Sequence, residues 1–171
     1  MFLKNIHYVI AFFLIVLSVL LTILVPGGPI ETRDFSHYSE TILTLFNIFL
    51  TSLGLLSFVV AFLIVKKKKH SIILSTIIAL LYIFIYLIDL FEIFPTSPMS
   101  MSSSLFFIEI FSTILGIILI FLCSKYNNLE IDNSENITII KFSFYKILTL
   151  VLILLFAIGI VIFATKSAMG Q

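Results

Sequence analysis

Asp89 and Glu92 stand three residues apart in "DLFEIFP" (89–95), at the end of a long apolar run. That spacing is close to one helical turn, so both carboxylates fall near one face of a helix. A pair of carboxylates in such a setting can hold a cation, pass a proton, or serve as acid and base about a bound ion. Glu109, inside a later apolar run, adds a third acid. Neutral and basic partners stand near in the sequence pattern. Tyr86 precedes Asp89 by about one turn, Asn47 interrupts another apolar run, and Arg33, His37 and Glu40 lead into that run. His37 with three carboxylates would complete a metal site, although the spacing matches no metal motif.

The elements that carry these residues follow from composition. The chain has 171 residues, of which 61% are hydrophobic and 11% charged, with a mean hydropathy of +1.26. Soluble domains carry about a quarter charged residues. The apolar residues form blocks long enough to cross a hydrocarbon core of about 30 Å as helices. Five spans are expected, at roughly 8–25, 42–65, 71–93, 104–124 and 143–165. The first exceeds a typical signal core in length, and "TILVPGGPIE" offers no small-x-small cleavage site, so it is expected to persist as a mature helix. The fold class expected is an all-α integral membrane protein of the cell membrane, a five-helix transmembrane bundle in a single membrane domain over 1–171.

Basic residues set the orientation, because short loops rich in Lys and Arg stay cytoplasmic. With the N-terminus cytoplasmic, Lys4, Lys66 to Lys69, Lys125, Lys141 and Lys146 fall inside, and only Arg33 and Lys166 fall outside. The C-terminus is then outside, loops 26–41 and 94–103 are outer, and loops 66–70 and 125–142 are inner. "VKKKKH" serves as the orientation signal in a tight turn between two helices. Asn136-Ile137-Thr138 has no meaning as a glycan acceptor on the inner side. In the first outer loop, Pro-Gly-Gly-Pro forces a sharp turn. Asp34 then has the character of an N-cap, which would start the second helix near Phe35.

With this topology Glu130, Asp132 and Glu135 lie in the inner loop, and Glu31, Asp34, Glu40, Asp89, Glu92 and Glu109 lie outside or in the outer half. Ser75, Ala79, Tyr82, Tyr86 and Asp89 step by four, three, four and three, one protein-facing stripe that Glu92 is expected to continue. His37, Glu40, Thr44, Asn47, Thr51 and Gly54 form a second stripe, and Glu109, Ser112, Thr113 and Gly116 a third. The fifth span, with Ala157 and Ala164, reads as a packing helix. Arg33 is placed to pair with one of the acids and hold the outer loop down.

Net charge of +1 gives no reason to expect nucleic acid. Cys123 is the only cysteine, which excludes an internal disulfide, and no zinc-type spacing occurs. No nucleophile elbow, His-Glu-x-x-His, phosphate loop or nucleotide fingerprint is present. The function that accords best is a small non-catalytic membrane module, an accessory subunit or a protein that docks a lipid or partner, with a polar acidic site in the outer leaflet. The alternative is a small cation- or proton-coupled transporter in which Asp89, Glu92 and Glu109 bind the ion, with Tyr86, Asn47 and Thr51 as neutral ligands; Glu40, His37 and Arg33 are further candidates for ligand or ion binding. An intramembrane enzyme using the carboxylates or a metal comes third. The partners expected are the lipid bilayer and either a membrane-protein partner or a second copy of the chain. Cofactor and metal content are left open by the sequence.

Overall fold

Helical stepping of the apolar residues resolves into α1 (Ile6–Ile23), α2 (Glu40–Val65), α3 (Ser71–Leu90), α4 (Ser103–Asn127) and α5 (Phe144–Ala168). The computed structural model describes residues 5–26, 30–68, 70–127 and 144–170. The Gly-Gly-Pro of the expected first outer loop, Lys69, and most of the expected inner loop at 125–142, with its acids and Asn136, lie outside the described residues. All five helices are long and apolar enough to cross a membrane, and no strand occurs among the described residues. This is the pattern of a multi-pass membrane protein.

The inward stripes are those of helical periodicity. On α1, Ile6, Ile10, Leu14, Leu17 and Leu21 recur every three or four residues, and all are buried. On α3, Ser75, Ala79, Tyr82 and Tyr86 form the inward stripe. On α4, Glu109, Ser112, Gly116, Leu119 and Cys123 are buried in the same way. Neighbouring helices close a ring in chain order, α1 on α2, α2 on α3, α3 on α4 and α4 back on α1, whereas among the described residues α5 packs directly only on α2. The outward faces are apolar too: Phe12, Phe107 and Phe156 are 62%, 68% and 69% exposed. A face of that kind needs hydrocarbon around it.

Small and polar side chains let the helices approach. Ser18 on α1 donates to the Gly54 carbonyl at 3.0 Å, and a Cβ on Gly54 would lie 3.3 Å from that Ser18 hydroxyl. The Tyr82 and Ser57 hydroxyls meet at 2.9 Å between α3 and α2. A Cβ on Gly116 would come within 2.7 Å of Ile83 Cγ1, so α4 sits on α3 only because that position is glycine. Gly116→Val is expected to destabilise by about 1–3 kcal/mol through overpacking. Ile83→Ala should recover part of the loss, and thermal unfolding of the single and double variants checks this.

Two helix ends depart from expectation. The third helix was expected to run to 93 with Glu92 on its stripe, but α3 stops at Leu90 and Glu92 is exposed with φ of 52°. The Glu92 N–H donates to the Asp89 carbonyl (2.8 Å) and the Ile93 N–H to the Ile88 carbonyl (2.9 Å). This is the paired closure in which a left-handed residue ends a helix. The left-handed turn swings Glu92 off the stripe, so it does not join Asp89. Lys67 closes α2 identically, with φ of 52° and the Lys68 N–H on the Leu63 carbonyl. A left-handed conformation costs a non-glycine residue about 1–2 kcal/mol. Glu92→Gly is therefore expected to stabilise by about 0.5–1 kcal/mol after the entropy glycine adds to the unfolded chain. Glu92→Ala should give no gain in the same unfolding assay.

The start of α2 also differs. Ser39, not Asp34, is the N-cap, its hydroxyl accepting from the Ile42 N–H, and the helix begins at Glu40. Asp34 instead accepts from the Ser36 N–H (2.8 Å) and hydroxyl (3.0 Å), closing a local turn. These bonds, the backbone one first, hold the Asp34 carboxyl below its ordinary value.

Candidate functional site

Between α1 and α2 the chain crosses the bundle end as an extended strap. Glu31, Arg33 and Phe35 are buried while Thr32, Asp34 and Ser36 are exposed, the period of two of an extended segment. Three side chains of the strap, Glu31, Arg33 and Phe35, therefore point inward to the same cavity.

Arg33 lies between two carboxylates. Its Nη1 and Nη2 donate to Asp89 Oδ1 and Oδ2 at 2.9 and 2.8 Å. Its Nε donates to Glu31 Oε1 at 3.0 Å and its Nη2 to Glu31 Oε2 at 2.6 Å, so each two-donor edge of the guanidinium grips one acid. The Arg33 N–H also donates to Glu31 Oε1 at 2.9 Å. Burial weakens the charged form of Arg33, but the hydrogen bonds from Glu31, then Asp89, outweigh it and hold the guanidinium above its ordinary value. The Phe35 ring lies beneath, 5.3 Å from the guanidinium carbon.

Phe35 ties the strap to the fifth helix. Its ring packs with Leu43 and Ala168, and its N–H donates to the Ala168 carbonyl at 3.0 Å. Below it Asn47 Nδ2 donates to Thr165 Oγ1 at 3.2 Å, the polar link between α2 and α5. The strap also holds the other loop of the same end. The Tyr38 hydroxyl meets Thr96 Oγ1 at 2.8 Å, and Ser97 donates to the Asp34 carbonyl at 2.9 Å.

Behind the clamp lies a cavity of about 50 Å³. Its polar lining is Glu31, Arg33, Asn47, Tyr86, Asp89 and Glu109. Glu109 is 2% exposed and its Oε2 has no hydrogen-bond partner, nor do the Tyr86 and Ser112 hydroxyls. A water needs roughly 10–15 Å³ of such space, so the cavity takes a few waters or one small polar group. On the other side of Leu21, Asn47 and Leu50, which line both spaces, an apolar groove of about 240 Å³ opens between α1, α2 and α5.

Of the residues singled out from sequence, Arg33, Asn47, Tyr86, Asp89 and Glu109 gather at this cavity. His37, Glu40 and Glu92 are exposed and do not. His37 lies in the turn after Asp34, its ring 4.3 Å from that of Tyr38, so the stripe it was expected to begin on α2 starts only at Glu40. Among the described residues no three His, Cys, Asp or Glu side chains are placed to hold a metal ion. The metal site with His37 is therefore not formed, because His37 stands on the turn and Glu92 past the helix end.

Sequence reasoning missed Glu31, Phe35 and Thr165 as partners. The alternation Glu31-x-Arg33-x-Phe35 is the signal that could have found the first two. Thr165 had no such signal, standing 118 residues from Asn47.

A bundle of apolar helices with one end strapped shut by a buried ion-pair cluster defines the class: a small multi-pass helical protein without a catalytic motif. Within that class the chain belongs to the family described as Domain of unknown function (DUF8051), whose model matches residues 6–138. The match spans α1 to α4 and stops before α5. No curated protein and no solved structure matches the chain.

Proposed function

We propose that the protein is a non-catalytic module of the cell membrane, N-terminus cytoplasmic and C-terminus outside, that docks a membrane lipid at its outer end. The observation that carries this is the apolar groove between α1, α2 and α5, which shares Leu21, Asn47 and Leu50 with the polar cavity. A groove of that kind suits an acyl chain, and a polar cavity beside it suits the head of the same molecule. Orientation rests on the eight-to-two division of basic residues. Arg33, one of the two exceptions, is neutralised by Glu31 and Asp89, so it offers little opposing charge.

Cation transport is less well supported. Asp89 is already occupied by Arg33, and toward the opposite end the interior is filled by Leu14, Val60, Ile64, Ile78 and Leu119. No Asp, Glu, Lys or Arg besides Glu31, Arg33 and Glu109 is buried among the described residues.

Two experiments test the proposal. A membrane-impermeant maleimide should label Ser100→Cys in intact cells and Lys66→Cys only after permeabilisation; the reverse pattern would invert the topology. Native mass spectrometry of gently extracted protein should show one retained lipid, lost when Ala164→Phe fills the groove. A stoichiometric protein partner with no lipid would contradict lipid docking.

A further inference from the structure

We propose that the docked lipid carries a primary ammonium head, received by Glu109 and Tyr86 in the cavity behind the Arg33 clamp. This rests on the lipid-docking reading and adds the chemistry of the headgroup. Glu109 is 2% exposed and Tyr86 1%, yet Glu109 Oε2 and the Tyr86 hydroxyl have no internal partner, and both residues line the cavity. Buried polar atoms are normally satisfied, so two that face one small space mark a place for an outside group.

An ionised Glu109 can only accept, so the group that answers it is a donor. A primary ammonium has three N–H donors. Glu109 Oε2 and the Tyr86 oxygen accept two, and Asn47, which also lines the cavity and whose amide nitrogen donates to Thr165, has a carbonyl oxygen able to accept the third. Charge agrees. One guanidinium faces two carboxylates in the clamp, so Glu31, Arg33 and Asp89 together carry one net negative charge when ionised, and Arg33 does not turn the cavity against a cation. Hydrogen bonding separates the candidates as well: a trimethylammonium has no N–H to offer. The chain of the lipid would then leave past Leu21 and Leu50 into the groove along Phe156 and Ile160.

The test is competition in nanodiscs containing equal amounts of phosphatidylethanolamine and phosphatidylcholine, followed by native mass spectrometry of the retained lipid. Wild type should retain phosphatidylethanolamine about tenfold over phosphatidylcholine, the effect of roughly one charge-assisted hydrogen bond. Glu109→Gln should abolish that preference, and Tyr86→Phe should reduce it, with the thermal midpoint of each variant measured alongside. Asp34→Asn, an exposed acid outside the cavity, should leave it intact. Equal retention of both lipids, still abolished by Ala164→Phe, would overturn the headgroup inference and leave lipid docking standing. A preference that survives both Glu109→Gln and Tyr86→Phe would overturn it too. Wild type that retains neither lipid would remove both.

Discussion

Arg33→Gln is expected to destabilise the protein by about 3–5 kcal/mol, the largest effect of any single substitution considered for this chain. The side chains of Arg33 and Glu31 are each 4% exposed and that of Asp89 15%, so removal of the guanidinium leaves two carboxylates buried without their cation. The loss comes less from the attraction that is removed than from the acids left behind, which lose their ion pair and are poorly hydrated. Arg33→Lys should fall between the two. It keeps the charge but cannot grip two carboxylates along two edges. Arg33→Met combined with Glu31→Gln and Asp89→Asn should be far less damaging than Arg33→Gln alone, since no uncompensated charge remains. Denaturant unfolding in detergent or bilayer reads all three.

Phe35→Ala should cost about 3 kcal/mol, the usual toll for emptying a buried aromatic site, and the damage should be local. Phe35 is 2% exposed, packs with Leu43 and Ala168, and bears the N–H that binds the Ala168 carbonyl. Among the described residues the fifth helix touches the others directly only at α2, so it depends on this contact and on Asn47–Thr165 to stay in place. Amide exchange at the Ala168 end of α5 should accelerate about a hundredfold, with little change along α3 and α4. Uniform acceleration in every helix would show instead that α5 is not a separately opening unit.

Much of the architecture is legible in the sequence because helical spacing leaves a plain mark. The stripe Ser75, Ala79, Tyr82 and Tyr86 is buried along its length, and the five apolar runs become five helices. The helix ends are less legible. Glu92 follows its stripe by spacing, and only the positive φ at that residue, which no glycine announces, takes it away. Asp34 and Ser39 both have N-cap chemistry; the choice of Ser39 frees Asp34 for its own turn and leaves His37 outside the helix. The strap shows the same limit from another side. Its alternation, Glu31, Arg33 and Phe35 inward with Thr32 and Asp34 outward, is written in "ETRDFS", but five residues of period two are easily taken for the approach to a helix. That Arg33 would pair with an acid follows from burial cost alone. Which acids it holds depends on the fold, which brings Asp89 to it across 56 positions.

Arg33 is the lock of the strapped end, which it holds shut by gripping Asp89. The measurement that tests it most directly is a double-mutant cycle of Arg33→Gln and Asp89→Asn, read by equilibrium unfolding of the protein in bilayers. A coupling of about 2 kcal/mol or more is expected, the double variant losing much less than the sum of the two single losses. Additive losses, with coupling within about 0.3–0.5 kcal/mol of zero, would mean that the two side chains are neighbours without being a lock, and would contradict the account.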